Sequence, residues 1–347
     1  MCLTELEKDL IDISEWIKKM EFGGAKILIT GSTGLIGSLL IRAIGVYNSV
    51  YQDQITVFAM ARNKEKVAKQ FEKYLQKDWL EFLYQDICDS IAIDNDVDYI
   101  IHTANSTNSK YFMTNPVEVI QSIYLGTRQV LEIAREKKIK GCVYLSSMEV
   151  FGQVYKEERS KENELGYIDI KNVRSCYSEG KRMAECMCKA YAEEYGVPVR
   201  IARLAQTFGP GIQLEDNRVF AQFARSIINQ NDLVLHTEGN SLGNYCYTAD
   251  AIKAILLLLK KGGYGEPYNV VNEDTTISIR DMAKMVVDKF SNGNSKVIFD
   301  IPLENKYGYA ADTKLKLSGK KINSLGWIPQ VGLEEAYRRM INDMLKG

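Results

Sequence analysis

The sequence predicts an α/β fold: a doubly wound parallel sheet followed by a smaller, mixed α/β C-terminal region. Three observations carry this expectation. Short apolar runs of strand length alternate with helix-length segments as far as Leu204. The first run breaks into a glycine-rich turn that opens a helix, and beyond residue 205 the alternation stops. Strands separated by helices need crossover connections, and right-handed βαβ units build parallel sheets covered on both faces.

The elements follow in order. Over 4–20, Leu6, Leu10, Ile13 and Ile17 recur at helical spacing, which predicts an amphipathic helix and a helical extension over 1–24. The run 26–30 is the first strand, and the stretch 35–44 after the glycine turn is helical. Further strands are expected at 55–60, 80–84, 99–102, 142–146 and 199–204, with helices over 64–76, 116–137 and 178–195 between them. Residues 25–205 then form a Rossmann-type dinucleotide-binding domain, to which 245–272 return. Residues 206–244, with a helix near 219–229, and 273–347 are left for a substrate-binding region.

Bulk properties exclude several functions. A chain of 347 residues suggests about two domains. The net charge of −1 gives no support to a nucleic-acid partner. The most apolar run, 254–259 between Lys253 and Lys260, is too short to cross a bilayer. The acidic N-terminus lacks the basic-then-apolar order of a signal peptide. Seven scattered cysteines fit reduced thiols, so a cytoplasmic protein is expected. Cys186 and Cys188 are wrongly spaced for a zinc knuckle, and with only His102 and His236 available no metal site is expected.

The turn after the first strand reads Gly31-Ser32-Thr33-Gly34-Leu35-Ile36-Gly37, a G-x-x-G-x-x-G motif between strand and helix. Glycines there permit a tight turn and close approach of a pyrophosphate, which rests on the positive end of the helix. Gly31, Thr33, Gly34, Leu35, Ile36 and Gly37 are therefore cofactor-binding candidates. The second strand ends in Met60-Ala61-Arg62-Asn63, where an acid would bond the ribose 2′-hydroxyl of NAD and an arginine would accommodate the 2′-phosphate of NADP. With Arg62 and Asn63 in place, the cofactor is NAD or NADP, and Arg62 tilts the reading to NADP. Asp86 and Ile87, after the third strand, are placed at the adenine.

Further motifs occur in a fixed order: His102-Thr103-Ala104-Asn105, Ser146-Ser147-Met148-Glu149-Val150-Phe151-Gly152, Tyr177 with Lys181, Arg203-Leu204-Ala205-Gln206-Thr207-Phe208-Gly209-Pro210, and Tyr247-Thr248-Ala249-Asp250. Together with the glycine turn they resemble an extended short-chain dehydrogenase/reductase over residues 25–345, within the nucleotide-sugar epimerase, 4,6-dehydratase and UDP-glucuronate decarboxylase group. The resemblance implies that Tyr177 is the acid/base, that Lys181 serves it, and that Ser147 bonds the reacting oxygen. It also implies that Thr103 and Ala104 line the cofactor site and that Asn105, Ser146, Met148, Gln206 and Arg218 meet substrate.

The physical chemistry is consistent with these roles. A spacing of four puts Tyr177 and Lys181 on one helix face. A free tyrosine has a pKa of about 10, and a nearby ammonium and the positive nicotinamide ring both favour the phenolate. Against the family pattern S-T-D-E of the dehydratases, Met148 stands where the acid is needed, which counts against dehydration. Glu149 is retained, either as a catalytic carboxylate or as a loop anchor. Gln206 replaces a common Asn. Gly243, seven residues before Asp250, replaces a common diphosphate-clamping arginine, leaving Arg218, Arg225 or Lys253 to supply charge.

The expected function is modification of a nucleotide sugar through a transient 4-keto sugar, by epimerisation or decarboxylation. The alternatives are net NADPH-dependent reduction of a sugar phosphate or keto-sugar, or nucleotide sensing without turnover. The resemblance also implies a homodimer, built from the helix carrying Tyr177 and the one over 116–137, with Met183, Met187 and Tyr191 facing the core or a partner.

Overall fold

The computed structural model describes residues 3–302 and 313–346. Its first half comprises α1 (Glu5–Lys19), β1 (Lys26–Thr30), α2 (Leu35–Val50), β2 (Thr56–Ala61), α3 (Lys64–Gln70), β3 (Leu80–Tyr84), β4 (Tyr99–His102), α4 (Ser109–Thr114), α5 (Pro116–Glu136), β5 (Gly141–Ser147), α6 (Ser175–Tyr195) and β6 (Val199–Leu204). There follow β7 (Gln206–Phe208), α7 (Val219–Ile228), β8 (Leu233–Leu235), β9 (Leu242–Tyr247), α8 (Thr248–Lys260), β10 (Pro267–Val270), β11 (Asn272–Ser278), α9 (Ile279–Phe290), β12 (Val297–Phe299), α10 (Lys320–Asn323) and α11 (Leu333–Met344).

Seven strands form one sheet in the order β10-β6-β5-β4-β1-β2-β3, and every neighbouring pair is parallel. The strand order reverses between β1 and β4, the switch point outside whose strand carboxyl ends open α/β sheets bind their ligands in a crevice. Side-chain alternation supplies both faces. Ile27, Ile29, Val57 and Ala59 enter one core with α2 and α8, whereas Leu28, Phe58, Met60 and Ile100 enter the other with α5 and α6. Smaller sheets, β11-β9-β7 and β12-β8, lie beyond β6 in sequence.

Element boundaries moved where tertiary contacts outweighed local pattern. The helix expected over 35–44 runs on to Val50, because Tyr47 is buried and the Asn48 amide bonds Ile55 N–H and C=O, both at 2.8 Å. The helix expected over 64–76 ends at Gln70. Fully buried Phe71 leaves the helical conformation, and a 3₁₀ turn, Glu72–Tyr74, follows.

The N-terminal helix is tied to the main fold. Thr4 and Glu7 form a capping box (Glu7 N–H to Thr4 Oγ1, 3.1 Å), and Leu10, Ile13 and Ile17 enter the same core as α2 and α8. The apolar run inside α8 packs on the sheet rather than in lipid, and no helix among the described residues is long and apolar enough to cross a membrane.

Candidate active site

The glycine turn sits at the mouth of the crevice. Gly31 has φ +68, and a Cβ there would lie 2.6 Å from Thr103 Oγ1 and 2.8 Å from the Ala104 Cα, so only glycine allows the β1 and β4 ends to close up. Thr103 Oγ1 donates to Thr30 C=O at 2.7 Å and locks this junction. Gly34 caps α2 without a side chain, its N–H bonding Gly31 C=O at 2.9 Å, so the first turn of α2 presents bare N–H groups beside Thr33. Asn105, the next residue but one along β4's outlet, buries both amide atoms with no partner among the described residues. A bare helix start and an unmet buried amide fit an anionic, hydrogen-bonding dinucleotide.

At the far end of the crevice, Arg62 Nη1 lies 3.2 Å from Asp86 Oδ2 and is three-quarters exposed. Two residues assigned separately to ribose and adenine thus form one pair, and Cys88 N–H also bonds Asp86 at 2.9 Å. Asn63 caps α3 by accepting from Lys66 N–H at 2.8 Å. Ile87 is buried in the core beneath, against α5.

The acid/base residues meet where β5 ends against α6. Tyr177 is buried, its ring stacked on Phe112 of α4 at 4.4 Å and 11°. Burial, and then the charge of Glu149, push its phenol above the ordinary value; the Ser147 hydroxyl, Arg174 and Arg218 pull it back. In the protein alone the groups that lower it are Ser147, Arg174 and Arg218, and the nicotinamide ring that the expectation paired with the Lys181 ammonium is not among them. Lys181 Nζ instead donates to Leu145 C=O at 2.7 Å, 5.8 Å from the Tyr177 ring centre, and burial brings its own pKa down to about 7. In the protein alone, desolvation outweighs the neighbouring charge.

Ser147 caps the 3₁₀ turn Met148–Phe151, accepting from Glu149 N–H at 3.2 Å. Glu149 is gripped by Arg174, Nη1 to Oε2 at 2.8 Å and Nη2 to Oε1 at 3.0 Å, and Ser178 Oγ lies 3.4 Å away. Met148 packs against the small core of Val150, Phe151, Ala205 and Val271. Ser146 points the other way along the pleat. Its hydroxyl donates to Glu185 at 2.5 Å, and Glu185 is buried against Arg203 at 2.6 Å, so Ser146 belongs to the β5–α6 seam rather than to the cleft.

On the substrate side, Gln206 opens β7 and pairs with Tyr245 of β9. A Cβ at Gly243 would stand 2.4 Å from the Tyr245 hydroxyl, so buried Tyr245 takes the space that an arginine side chain needs. Of the three alternative cations, Arg218 acts on Tyr177 and clasps Asp216, Nη2 to Oδ2 at 2.6 Å. Arg225 bonds the backbone carbonyls of Leu214 (2.8 Å) and Asp216, whereas Lys253 is paired with Asp12 of α1, across the sheet's helical layer. Among the described residues no group of three metal-ligating side chains converges.

Arg174 and Phe112 were not singled out in the sequence. Arg174 directly precedes α6, which starts three residues earlier than the 178 expected, and Phe112 lies on a six-residue helix too short to show a period.

A glycine turn at the strand-order switch, facing a Ser–Tyr–Lys set on β5 and α6, defines a dinucleotide-dependent dehydrogenase/reductase site on a Rossmann-type scaffold. The chain belongs to the NAD dependent epimerase/dehydratase family, whose model matches residues 27–271. It is 29% identical over 323 residues to UDP-glucuronic acid decarboxylase 1 of Arabidopsis thaliana, covering 92% of this chain and 69% of that one. It is 26% identical to human dTDP-D-glucose 4,6-dehydratase over 330 residues, 91% of this chain and 89% of the relative. The fold matches that of UDP-glucose 4-epimerase from Thermotoga maritima with a TM-score of 0.77 at 21% identity, covering 92% and 99% of the two chains.

Proposed function

We propose that the protein modifies a nucleotide sugar by epimerisation or decarboxylation, through a transient ketone, usually at C4. The observation that carries this reading is the 3₁₀ turn after β5. It offers Ser147 and Glu149 to the Tyr177 hydroxyl while Met148, which has no proton to give, packs into an apolar cluster where dehydration needs an acid. A bound nicotinamide would accept hydride from the substrate carbon and return it, and its positive ring would supply charge that favours the phenolate. Tyr177 takes the hydroxyl proton, Ser147 orients that oxygen, and Lys181, anchored on Leu145 C=O, keeps its amine beneath the site. A ketone acidifies the neighbouring C–H bonds and stabilises the carbanion left by carbon dioxide, which is why oxidation comes first. Arg218 is the cation we place at the substrate phosphates in the absence of an arginine at 243.

A second reading, net reduction with NADPH, draws on Arg62, whose exposed guanidinium at the end of β2 suits a 2′-phosphate. Exposed Val117, Ile120, Tyr124 and Met183 on α5 and α6 are where we place a homodimer contact; Met187 and Tyr191 are partly buried against the core.

The test is a panel of UDP-, dTDP-, CDP- and GDP-sugars, including UDP-glucuronic acid, with NAD and NADP. Retained nicotinamide nucleotide and an epimerised or decarboxylated product are expected. Protein that neither carries nor binds such a nucleotide would sink the proposal, and steady consumption of NADPH would favour the second reading.

A further inference from the structure

The N-terminal end of α6 brings together a cluster whose central member has no assigned part. Arg174, the residue before α6, presents both terminal nitrogens to the two oxygens of Glu149, at 2.8 and 3.0 Å, across the mouth of the β5 outlet. Its guanidinium lies 5.9 Å from the ring centre of Phe112, and that ring is stacked on Tyr177. Arg174 thus touches the carboxylate and the aromatic wall on either side of the acid/base residue. Both partners are largely buried, with side chains 22% and 25% exposed, so the fork is not a solvated surface pair. A two-toothed contact fixes the plane of the carboxylate, which a single bond from Ser178 at 3.4 Å does not.

We infer that Arg174 is a positioning residue: it fixes the orientation of Glu149 toward the cleft and offsets its charge, so that a carboxylate can stand beside Tyr177 without opposing ionisation of the phenol. The inference rests on the function proposed above. Around Tyr177 stand Glu149 from the 3₁₀ turn, Tyr144 and the neutral Ser147 hydroxyl from β5, Arg174 and Lys181 from α6 and its cap, and Arg218 from the cap of α7. Among them Glu149 opposes ionisation, while Arg174 and Arg218 favour it. Loss of Arg174 alone leaves the negative neighbour uncompensated; loss of Arg174 and of the Glu149 charge together restores the balance.

The experiment compares wild type, Arg174→Lys, Arg174→Met and Arg174→Met/Glu149→Gln. The readout is the pH dependence of the first hydride transfer, followed as reduction of the nicotinamide in a single turnover with whichever panel sugar the wild type oxidises. Arg174→Met should move the acidic limb upward by about one pH unit, a roughly tenfold slower reaction below the wild-type midpoint. Arg174→Lys should move it less, and the double variant should bring it back, whatever its maximal rate. NAD affinity, measured by calorimetry, should change little in all three. A limb that stays in place in Arg174→Met, with a rate reduced equally at every pH, assigns Arg174 a merely structural role and overturns the inference. A crystal structure of Arg174→Met supplies a test independent of turnover: Glu149 keeping its orientation there also overturns it. A wild type that binds no nicotinamide nucleotide would count against the proposed function, and the crystal structure would still decide the role of Arg174.

Discussion

Lys181 reaches from α6 to the carbonyl of Leu145 on β5, 2.7 Å away, and is wholly enclosed while doing so. Burial draws its pKa down from 10.5 to about 7, against the opposing pull of Glu185 one turn along. Between about pH 7 and 10.5 the unfolded chain therefore holds a proton that the folded one has lost, and the fold gains stability as pH rises. Lys181→Met removes that titration. We expect the variant to be more stable than wild type at pH 6, by ~1–2 kcal/mol, with the advantage shrinking by pH 9. Thermal denaturation at the two pH values checks this; an advantage that does not depend on pH would contradict it.

Tyr177→Phe keeps the ring stacked on Phe112 and removes only the hydroxyl. Hydride transfer should fall by at least ~10²-fold, and nucleotide affinity should remain within a few-fold. Turnover at the wild-type rate would remove Tyr177 from the mechanism.

Gly31→Ala forces a side chain into a left-handed backbone position and against Thr103 and Ala104. A loss of ~1–3 kcal/mol is expected in urea unfolding, together with weaker nucleotide binding, because the β1–β4 junction must open. A variant as stable as wild type, with unchanged affinity, would show that the crevice is not shaped by this close approach.

Asp9 of α1 accepts from the Tyr247 hydroxyl and from Arg339 of α11 at 3.2 Å, clasping the two ends of the chain around β9. Burial raises its pKa to about 6 from 3.8, although Tyr247 and Arg339 act to lower it. Between those values the folded state holds the extra proton, so this group makes the protein less stable as pH rises from about 4 to 6. Asp9→Asn should flatten that part of the stability profile. A profile identical to wild type over this range would show that Asp9 does not titrate as the fold requires.

Arg62→Ala leaves Asp86 without its ion pair and removes the cation at the end of β2. The variant should lose affinity for NADP by about tenfold or more and change little toward NAD. Equal losses for both nucleotides would assign Arg62 to the adenosine in general rather than to a 2′-phosphate.

The parallel sheet and the glycine turn were legible in the chain because their signals are local. Strand runs at 26–30, 80–84, 99–102 and 199–204 coincide with the observed strands, since buried parallel strands read as continuous apolar stretches. Turn glycines are likewise dictated by backbone angles at single positions. The order of motifs from Gly31 to Asp250 also carried the family. The C-terminal elements from β8 to α11 were less visible, because short strands and helices take their stability from distant partners rather than from a repeat of their own.

Tertiary structure alone decided which way charges and hydroxyls face. Neighbours in sequence, Ser146 and Ser147, part company at the end of β5, one into a buried pair with Glu185 and the other toward Tyr177. Lys181 turns to a strand carbonyl, Arg62 joins Asp86 across 24 residues, and Arg174 joins Glu149 across 25. Residue types and spacing specify backbone conformation and the chemistry on offer. The ionisation of a buried group depends on the solvent it has lost and the charges that face it, and both are set by segments far apart in the chain.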